Sequence, residues 1–281
     1  MKNNNDISII IIAYKSEKII YEFIKRIPSN IKTIIVENSN NFNLKKELEK
    51  KYHNIKIYLR DNEGVSSSLN FAVNMIETKY FLQISPDIEF DFKDLNVFYE
   101  FANKLEDKFA ALGPRFLNVK ENSHKQISKD LDEDSINSIH GSCMFVKKEN
   151  FNLIGRFDEN IFLYFEETEY CYRAKKKGYL SYQTNKITVK TVGRSVDISE
   201  NENEKISNLL IWHFIWSKFY FNKKKYGRVF TTIIFIPLLI RILFRIILYK
   251  ILKKENFLNK YRFRLDGLLK SMQGKKSYLR P

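Results

Sequence analysis

Ser8–Ala13 is an unbroken apolar run, with the isoleucine content expected of a strand buried on both faces. Further strands are read at Thr33–Glu37 and Tyr80–Ile84, and Ile55–Leu59 alternates. Between them the apolar spacing is helical: about Glu17–Ile27, stopped by Pro28, then Leu44–Tyr52, then Ser66–Glu77 with Ser66–Ser68 at its start. The order β-α-β-α-β-α-β predicts a mostly parallel, doubly wound sheet. Such sheets bind ligands at the carboxyl ends of their strands. Beyond Pro86 the pattern weakens. Ala110–Pro114 and Ser142–Lys147 read as strands on either side of Asn118–Asn137, a polar segment that reads as a mobile loop. Glu166–Lys177 reads as an acidic helix ended by Gly178, and Leu180–Thr184 and Ile187–Thr191 as short strands before a polar linker at Asp197–Glu204.

The last quarter of the chain has a different pattern. Val229–Leu252 holds 17 Val, Ile, Leu or Phe residues. The net charge of +15 is concentrated here as well: residues 205–281 carry 18 Lys/Arg against 2 Asp/Glu, while residues 1–204 are nearly neutral. A neutral body of 1–204 with a basic, apolar region at 205–281 points to attachment at an anionic surface. The uncharged stretch Val229–Ile240 would reach about 18 Å as a helix, short of a hydrocarbon core of roughly 30 Å. Continuing to Leu252 is long enough but includes Arg241 and Arg245, each costing about 2.5–3.5 kcal/mol near the centre against about 0.3–0.6 gained per apolar residue. The two sums nearly cancel. Both a single span near 229–252 and a helix lying in the interface stay open, with a soluble helical hairpin as the third possibility. The i, i+4 placement of Arg241 and Arg245 on one face favours the interfacial form.

Two cysteines, Cys143 and Cys171, build no disulfide framework and no metal-binding Cys pair. The opening MKNNNDISIIIIAY lacks the cleavage region of a signal peptide, so the bulk of the chain is expected in the cytoplasm. No Walker or GxGxxG glycine pattern occurs, which disfavours an ATPase or a dehydrogenase. The Ile/Leu/Phe runs of the basic region lack evenly interleaved aromatics and phosphate-binding loops, and the body of 1–204 is neutral, so nucleic acid is not an expected partner. Polar residues close all four early strands: Ala13-Tyr14-Lys15-Ser16, Glu37-Asn38-Ser39, Asp61-Asn62-Glu63-Gly64 and Ser85-Pro86-Asp87. That places them together at the ligand-binding edge.

These segments resemble family 2 glycosyltransferases, inverting enzymes with the GT-A nucleotide-diphospho-sugar transferase fold. Ile9–Ser16 is similar to their opening strand, and Ile35-Val36-Glu37-Asn38-Ser39 to their V-D-N-x-S segment with Glu for Asp. Asn62-Glu63-Gly64 followed by Asn70 resembles the N-x-G-x-x-x-x-x-N element of rhamnosyltransferase-like members. Leu82–Asp87 resembles the L-x-L-N-P-D form of the D-x-D metal site, with Ser85 at the usual first acidic position and Glu89 or water to complete the shell. Gly155–Glu159, Tyr164–Glu169 and Arg173 resemble G-G-F-D-E … Y-x-E-D-x-D-x-x-x-R. The resemblance covers about residues 7–196.

It implies a mixed sheet with a nucleotide-sugar half, about 1–115, and an acceptor half, about 116–204. Ala13, Tyr14, Glu37, Asn62, Gly64, Asn70, Ser85 and Asp87 would meet the donor, with Asp87 holding Mg²⁺ or Mn²⁺. Glu167 is the matching general base and Glu166 its supporting partner. Lys190 stands where a His is usual, and Gly193-Arg194-Ser195 follow; His140 falls on the acceptor side. The implied reaction moves a sugar, dTDP-rhamnose or a UDP-sugar being the donor, to a lipid-linked or cell-surface glycan at the cytoplasmic face of the plasma membrane. A degenerate transferase-like binding protein and a nucleotidyltransferase remain as alternatives. The latter should show a Gly-rich basic loop after its first strand, and none is present.

Overall fold

The computed structural model describes residues 6–118, 126–192 and 200–281, without the side chains of 200–202. Residues 193–199, which include Gly193-Arg194-Ser195 and the start of the expected linker, lie outside it, as do 119–125 of the expected polar loop. The chain forms two compact units. One comprises Met1–Asp158 with Glu167–Asp197, the other Glu159–Glu166 with Ile198–Pro281.

The first unit is built on a mixed sheet. Strands β1 (Ile7–Ala13), β2 (Thr33–Glu37), β3 (Ile55–Leu59) and β4 (Tyr80–Ile84) are linked by helices α1 (Glu17–Ile24), α2 (Phe42–Lys51) and α3 (Val65–Met75). They lie in the order β3-β2-β1-β4, all parallel. After β4 come β5 (Ile88–Glu89), helix α4 (Leu95–Lys104), β6 (Leu112–Phe116), β7 (Glu133–Ile136), β8 (Cys143–Lys147), α5 (Lys148–Ile154), α6 (Glu166–Lys176) and β9 (Ser181–Thr191). The sheet continues from β4 through β8, β6 and β9 to β5, with β7 also on β9. β8 is antiparallel to β4, and β6 is parallel to β9.

Strand alternation sorts the isoleucines of β1 into two layers. Ile9 and Ile11 face the side covered by Ile20 and Phe23 of α1, Leu48 of α2 and Phe98 of α4. Ile10 faces the side covered by Val73 of α3, Phe151 of α5 and Tyr170 of α6. Burial on both faces is why β1 reads as a continuous apolar run rather than an alternating one. Phe145 of β8 stacks between Tyr80 and Phe98, with ring centroids at 5.1 and 5.3 Å. Cys143 and Cys171 are buried in opposite layers, as packing residues.

The structure differs from the sequence expectation in three regions. The two short strands expected at 180–191 are one 11-residue strand, β9. Helices α4 and α5 and strand β7 lie in the region where the pattern had weakened. The polar linker expected at Asp197–Glu204 is helical from Glu200.

The second unit contains three helices: α7 (Glu200–Tyr226), α8 (Arg228–Ile251) and α9 (Glu255–Met272). Ile215 and Phe219 of α7, Phe235 and Ile242 of α8 and Leu268 of α9 form its core. Helices α7 and α9 meet closely at Gly267. A Cβ there would lie 2.7 Å from the Trp212 carbonyl oxygen, so only glycine allows the approach.

Candidate active site

Hydrogen bonds bring the carboxyl ends of β1, β2 and β3 together. The Asn38 amide N–H donates to the Ala13 carbonyl at 2.8 Å, and the Arg60 N–H to the Glu37 carbonyl at 3.0 Å. The Lys15 N–H donates to Ser39 Oγ at 3.2 Å. Glu37 is 1% exposed, and its carboxylate is turned into its own loop. One oxygen accepts from the Ser39 N–H at 3.0 Å and from the Ser39 hydroxyl, the other from the Asn41 N–H at 2.7 Å. Asn41 then caps α2 by accepting from the Leu44 N–H. Glu37 thus braces the β2 edge of the crevice, and Tyr14 follows β1 at the same edge, half-buried.

At the β3 end, Asn62 accepts from the Gly64 N–H at 3.2 Å, a local turn that starts α3. Asn38 and Ser68 pair by side chain at 2.9 and 3.1 Å, tying α3 to β2. Asn70, on the buried face of α3, brackets the backbone of Phe157: its amide donates to the Phe157 carbonyl at 3.0 Å and accepts from the Phe157 N–H at 3.1 Å. This side chain joins α3 to the Gly155–Asp158 segment.

At the end of β4, Ser85-Pro86-Asp87-Ile88 forms a tight turn closed by the Ile88 N–H on the Ser85 carbonyl. Asp87 is 9% exposed, and burial raises its carboxyl above the ordinary range. Its carbonyl accepts from the Val192 N–H at 2.9 Å, fixing the turn to the end of β9. Lys190 of β9 lies opposite Glu89 of β5, and its ammonium pairs with that carboxylate at 3.0 Å.

The start of β8 meets this edge. The Ser85 N–H donates to the Ser142 carbonyl at 2.9 Å, and His140 Nδ1 lies 2.8 Å from Ser142 Oγ with its ring stacked on Phe116. Gly141, between them, lies against Glu167; a Cβ at Gly141 would sit 3.3 Å from the Glu167 carboxylate. Glu167 is 5% exposed, and its Oε1 accepts from the Thr168 hydroxyl at 3.0 Å. Thr168 Oγ1 is in turn 3.1 Å from Ser138 Oγ. One chain of contacts therefore runs from Asp87 through Ser85, Ser142 and Gly141 to Glu167. Ser138 and Thr168 were not singled out from the sequence, because isolated hydroxyls in a polar stretch carry no periodic signal.

Glu166 opens α6 and is 9% exposed. Glu169 is fully buried against Arg173, whose Nε donates to both carboxylate oxygens at 2.8 and 2.9 Å. The same guanidinium donates to the carbonyls of Ile154, Gly155 and Arg156 at 2.6–3.1 Å. Gly155 has φ +96°, and a Cβ there would lie 3.0 Å from Arg173 Nη1. Arg173 and Glu169 hold the Gly155 turn. Tyr164 and Phe165, just before α6, both have left-handed φ values of 66° and 70°. For bulky side chains that conformation costs of order 1–3 kcal/mol each, and such strain gathers at functional sites.

Among the described residues, no three His, Cys, Asp or Glu side chains cluster as a closed metal cage. Asp87 supplies a single, largely buried carboxylate in the turn after β4. Mg²⁺ and Mn²⁺ in phosphate chemistry are commonly held by one or two carboxylates, water and the substrate's own phosphates, so this donor set fits a cation carried by a diphosphate. Glu89 is occupied by Lys190.

Comparison with known proteins converges on one family. The family model described as glycosyl transferase family 2 matches residues 8–168. The low-salt glycan biosynthesis hexosyltransferase Agl10 of Haloferax volcanii is 27% identical over 197 residues, covering 62% of this chain. The dTDP-rhamnosyl transferase RfbF of Shigella flexneri is 28% identical over 203 residues, covering 63% of this chain. The aligned segments span 62% and 66% of those two relatives. Among solved structures, S. aureus TarS 1-349 in complex with UDP-GlcNAc matches with a TM-score of 0.52 at 13% identity, over 98% of this chain and 93% of that one.

Proposed function

This chain belongs to glycosyl transferase family 2, and on that premise we propose that it moves a hexosyl group from a nucleoside-diphosphate sugar to a hydroxyl of a lipid-linked or cell-surface glycan, with inversion. Its first unit has the GT-A fold, a mixed α/β sheet with that structural neighbour. A relative named for dTDP-rhamnose and a neighbour holding UDP-GlcNAc support a nucleoside-diphosphate donor. The observation that carries the reading is the position of Glu167. It is a nearly buried carboxylate, held by Thr168 and linked through Gly141 and Ser142 to the Asp87 turn.

In this reading the β1, β2 and β3 ends form the nucleoside crevice. Tyr14 lines it, Ala13 and Glu37 fix its backbone, and Asn62 with Gly64 sets the start of α3. Asn70 keeps the donor half in register with the Gly155 turn. Asp87 would hold Mg²⁺ or Mn²⁺ against the diphosphate; when bound, the cation offsets the charge that develops on the leaving group. Glu167 takes the proton of the acceptor hydroxyl as the oxygen attacks the anomeric carbon from the side opposite the diphosphate. Thr168 orients the Glu167 carboxylate, and Glu166 supports the acceptor beside it.

A panel of nucleoside-diphosphate sugars with Mg²⁺ or Mn²⁺, including dTDP-rhamnose and UDP-hexoses, tests this. The cognate donor should raise the melting temperature, by mass action worth about 2.7 kcal/mol at one hundred times Kd. With a lipid-linked saccharide acceptor it should release nucleoside diphosphate and give a product of inverted anomeric configuration by NMR. Absence of both a thermal shift and nucleotide release across the panel would overturn the reading.

A further inference from the structure

Helix α8 is apolar on two opposite faces, and only one of them is covered. Thr231, Phe235 and Ile242, at most 4% exposed, pack toward α7 and α9. On the other side Val229, Ile233, Ile240, Phe244, Ile247 and Ile251 are 58–76% exposed. In all, ten large apolar residues of α8 are at least 44% exposed, an uninterrupted stripe along a 24-residue helix. Soluble surfaces rarely carry a contiguous apolar patch of that extent, so this face has an occupant.

We propose that α8 lies in the plane of an anionic phospholipid bilayer, with this stripe in the acyl region and its packed face held by α7 and α9. Charge identifies the occupant. Arg241 and Arg245 flank the stripe, Lys223–Lys225 precede the helix, and Lys250, Lys253 and Lys254 lie at its end. Each basic group near an anionic leaflet is attracted to its headgroups. A second copy of the chain would bring the same surface, 18 Lys/Arg against 2 Asp/Glu over residues 205–281, up to its like.

Packing decides between lying in the membrane and crossing it. Helix α9 runs back along α8: Tyr249 stacks on Phe257 at 5.2 Å, and at the far end Arg228 donates to the Met272 carbonyl at 3.1 Å. Arg264, nine residues into α9, lies about 14 Å along it from the connecting turn. If α8 spanned the bilayer, α9 would carry Lys260, Arg262 and Arg264 toward the centre, where a charged side chain is strongly disfavoured. In the plane of the interface, those groups stay in water or among headgroups.

Flotation of the full-length protein with phosphatidylcholine–phosphatidylglycerol vesicles tests this independently of any transfer activity. The protein should float with anionic vesicles and bind neutral or high-salt vesicles much less. The double change Ile240→Glu and Phe244→Glu, on the exposed face, should weaken binding about tenfold or more with unchanged circular dichroism. Tryptophans introduced singly as Val229→Trp, Ile240→Trp and Ile251→Trp, read by brominated lipids, should report one shallow depth. A maximum depth at 240 with shallow ends would mean a span and overturn the in-plane placement. A stable dimer by light scattering without vesicle binding would assign the stripe to a second copy and overturn the proposal outright.

Discussion

Glu166, Glu167 and Glu169 are three carboxylates within four positions, and the fold treats each differently. Glu169 is fully buried, and its charge is matched by Arg173, which spends its remaining donors on the Gly155 turn. Glu167 has one oxygen held by Thr168 and faces Gly141, whose missing side chain leaves room beside the carboxylate. From sequence these three read as one acidic helix face, because residue type alone does not reveal which carboxylate a guanidinium neutralises. The separation makes a sharp prediction. Glu167→Gln keeps the size and the Thr168 contact but accepts no proton, so turnover should fall about 10²–10⁴-fold. Donor binding, read as the thermal shift, should stay near the parent value. If Glu167→Gln turns over at the parent rate while Glu166→Gln does not, the base is the other member of the pair.

Among the elements, β1, β2 and β4 were legible because parallel strands covered on both faces are nearly apolar throughout, and β3 because it alternates around the exposed Lys56. The edge strand β7, Glu133–Ile136, was not. It is a polar, largely exposed segment that joins the sheet through its backbone pairing with β9, so no side-chain pattern marks it. Residues 205–281 were expected to be helical, and α7 is, but its apolar residues face more than one neighbour, so no single stripe marks its bounds. A polar residue of α7, His213, is fully buried, stacked on Phe162 at 4.4 Å, with its ring nitrogens on Ser277 Oγ and the Leu279 carbonyl. Burial lowers its pKa to about 4, and the nearby Arg280 pushes the same way. The unfolded chain therefore binds the extra proton first. This group's contribution to stability is complete above about pH 6.5 and is lost as pH falls toward 4, roughly 3 kcal/mol across that window. The two tryptophans, Trp212 and Trp216, both lie in α7, so intrinsic fluorescence reports this unit. Denaturant midpoints read that way should fall between pH 6.5 and 4, and His213→Gln should flatten the fall. An unchanged slope in the variant would mean that another group carries it.

For the whole molecule, the sequence suggests a body followed by an appendage, a division drawn from charge. The chain itself is threaded differently. It leaves the first unit after Asp158, contributes Glu159–Glu166 to the second, and returns at Glu167, the proposed base. Within the second unit this short segment is held from several sides: the Leu163 carbonyl accepts from the Ser217 hydroxyl at 2.8 Å, and Phe165 packs on Phe214 and Phe221. These aromatic contacts join residues more than 45 positions apart, which no local periodicity encodes. Removing residues 198–281 would therefore do more than delete a basic region. It would strip Phe162, Tyr164 and Phe165 of their α7 partners, and with them the support for two left-handed residues whose strain costs of order 1–3 kcal/mol each. The truncated chain should keep the sheet, since both layers of its core lie within the first unit. Its circular dichroism should show a folded α/β protein, while the released aromatics increase binding of a hydrophobic dye. Glu167 would then follow a relaxed segment, and transfer should fall about 10²-fold or more, as expected when a catalytic group loses its positioning. Donor-induced thermal shifts should largely persist, because the crevice at β1, β2 and β3 is untouched. A truncated protein with full transfer activity would show that the second unit serves attachment alone.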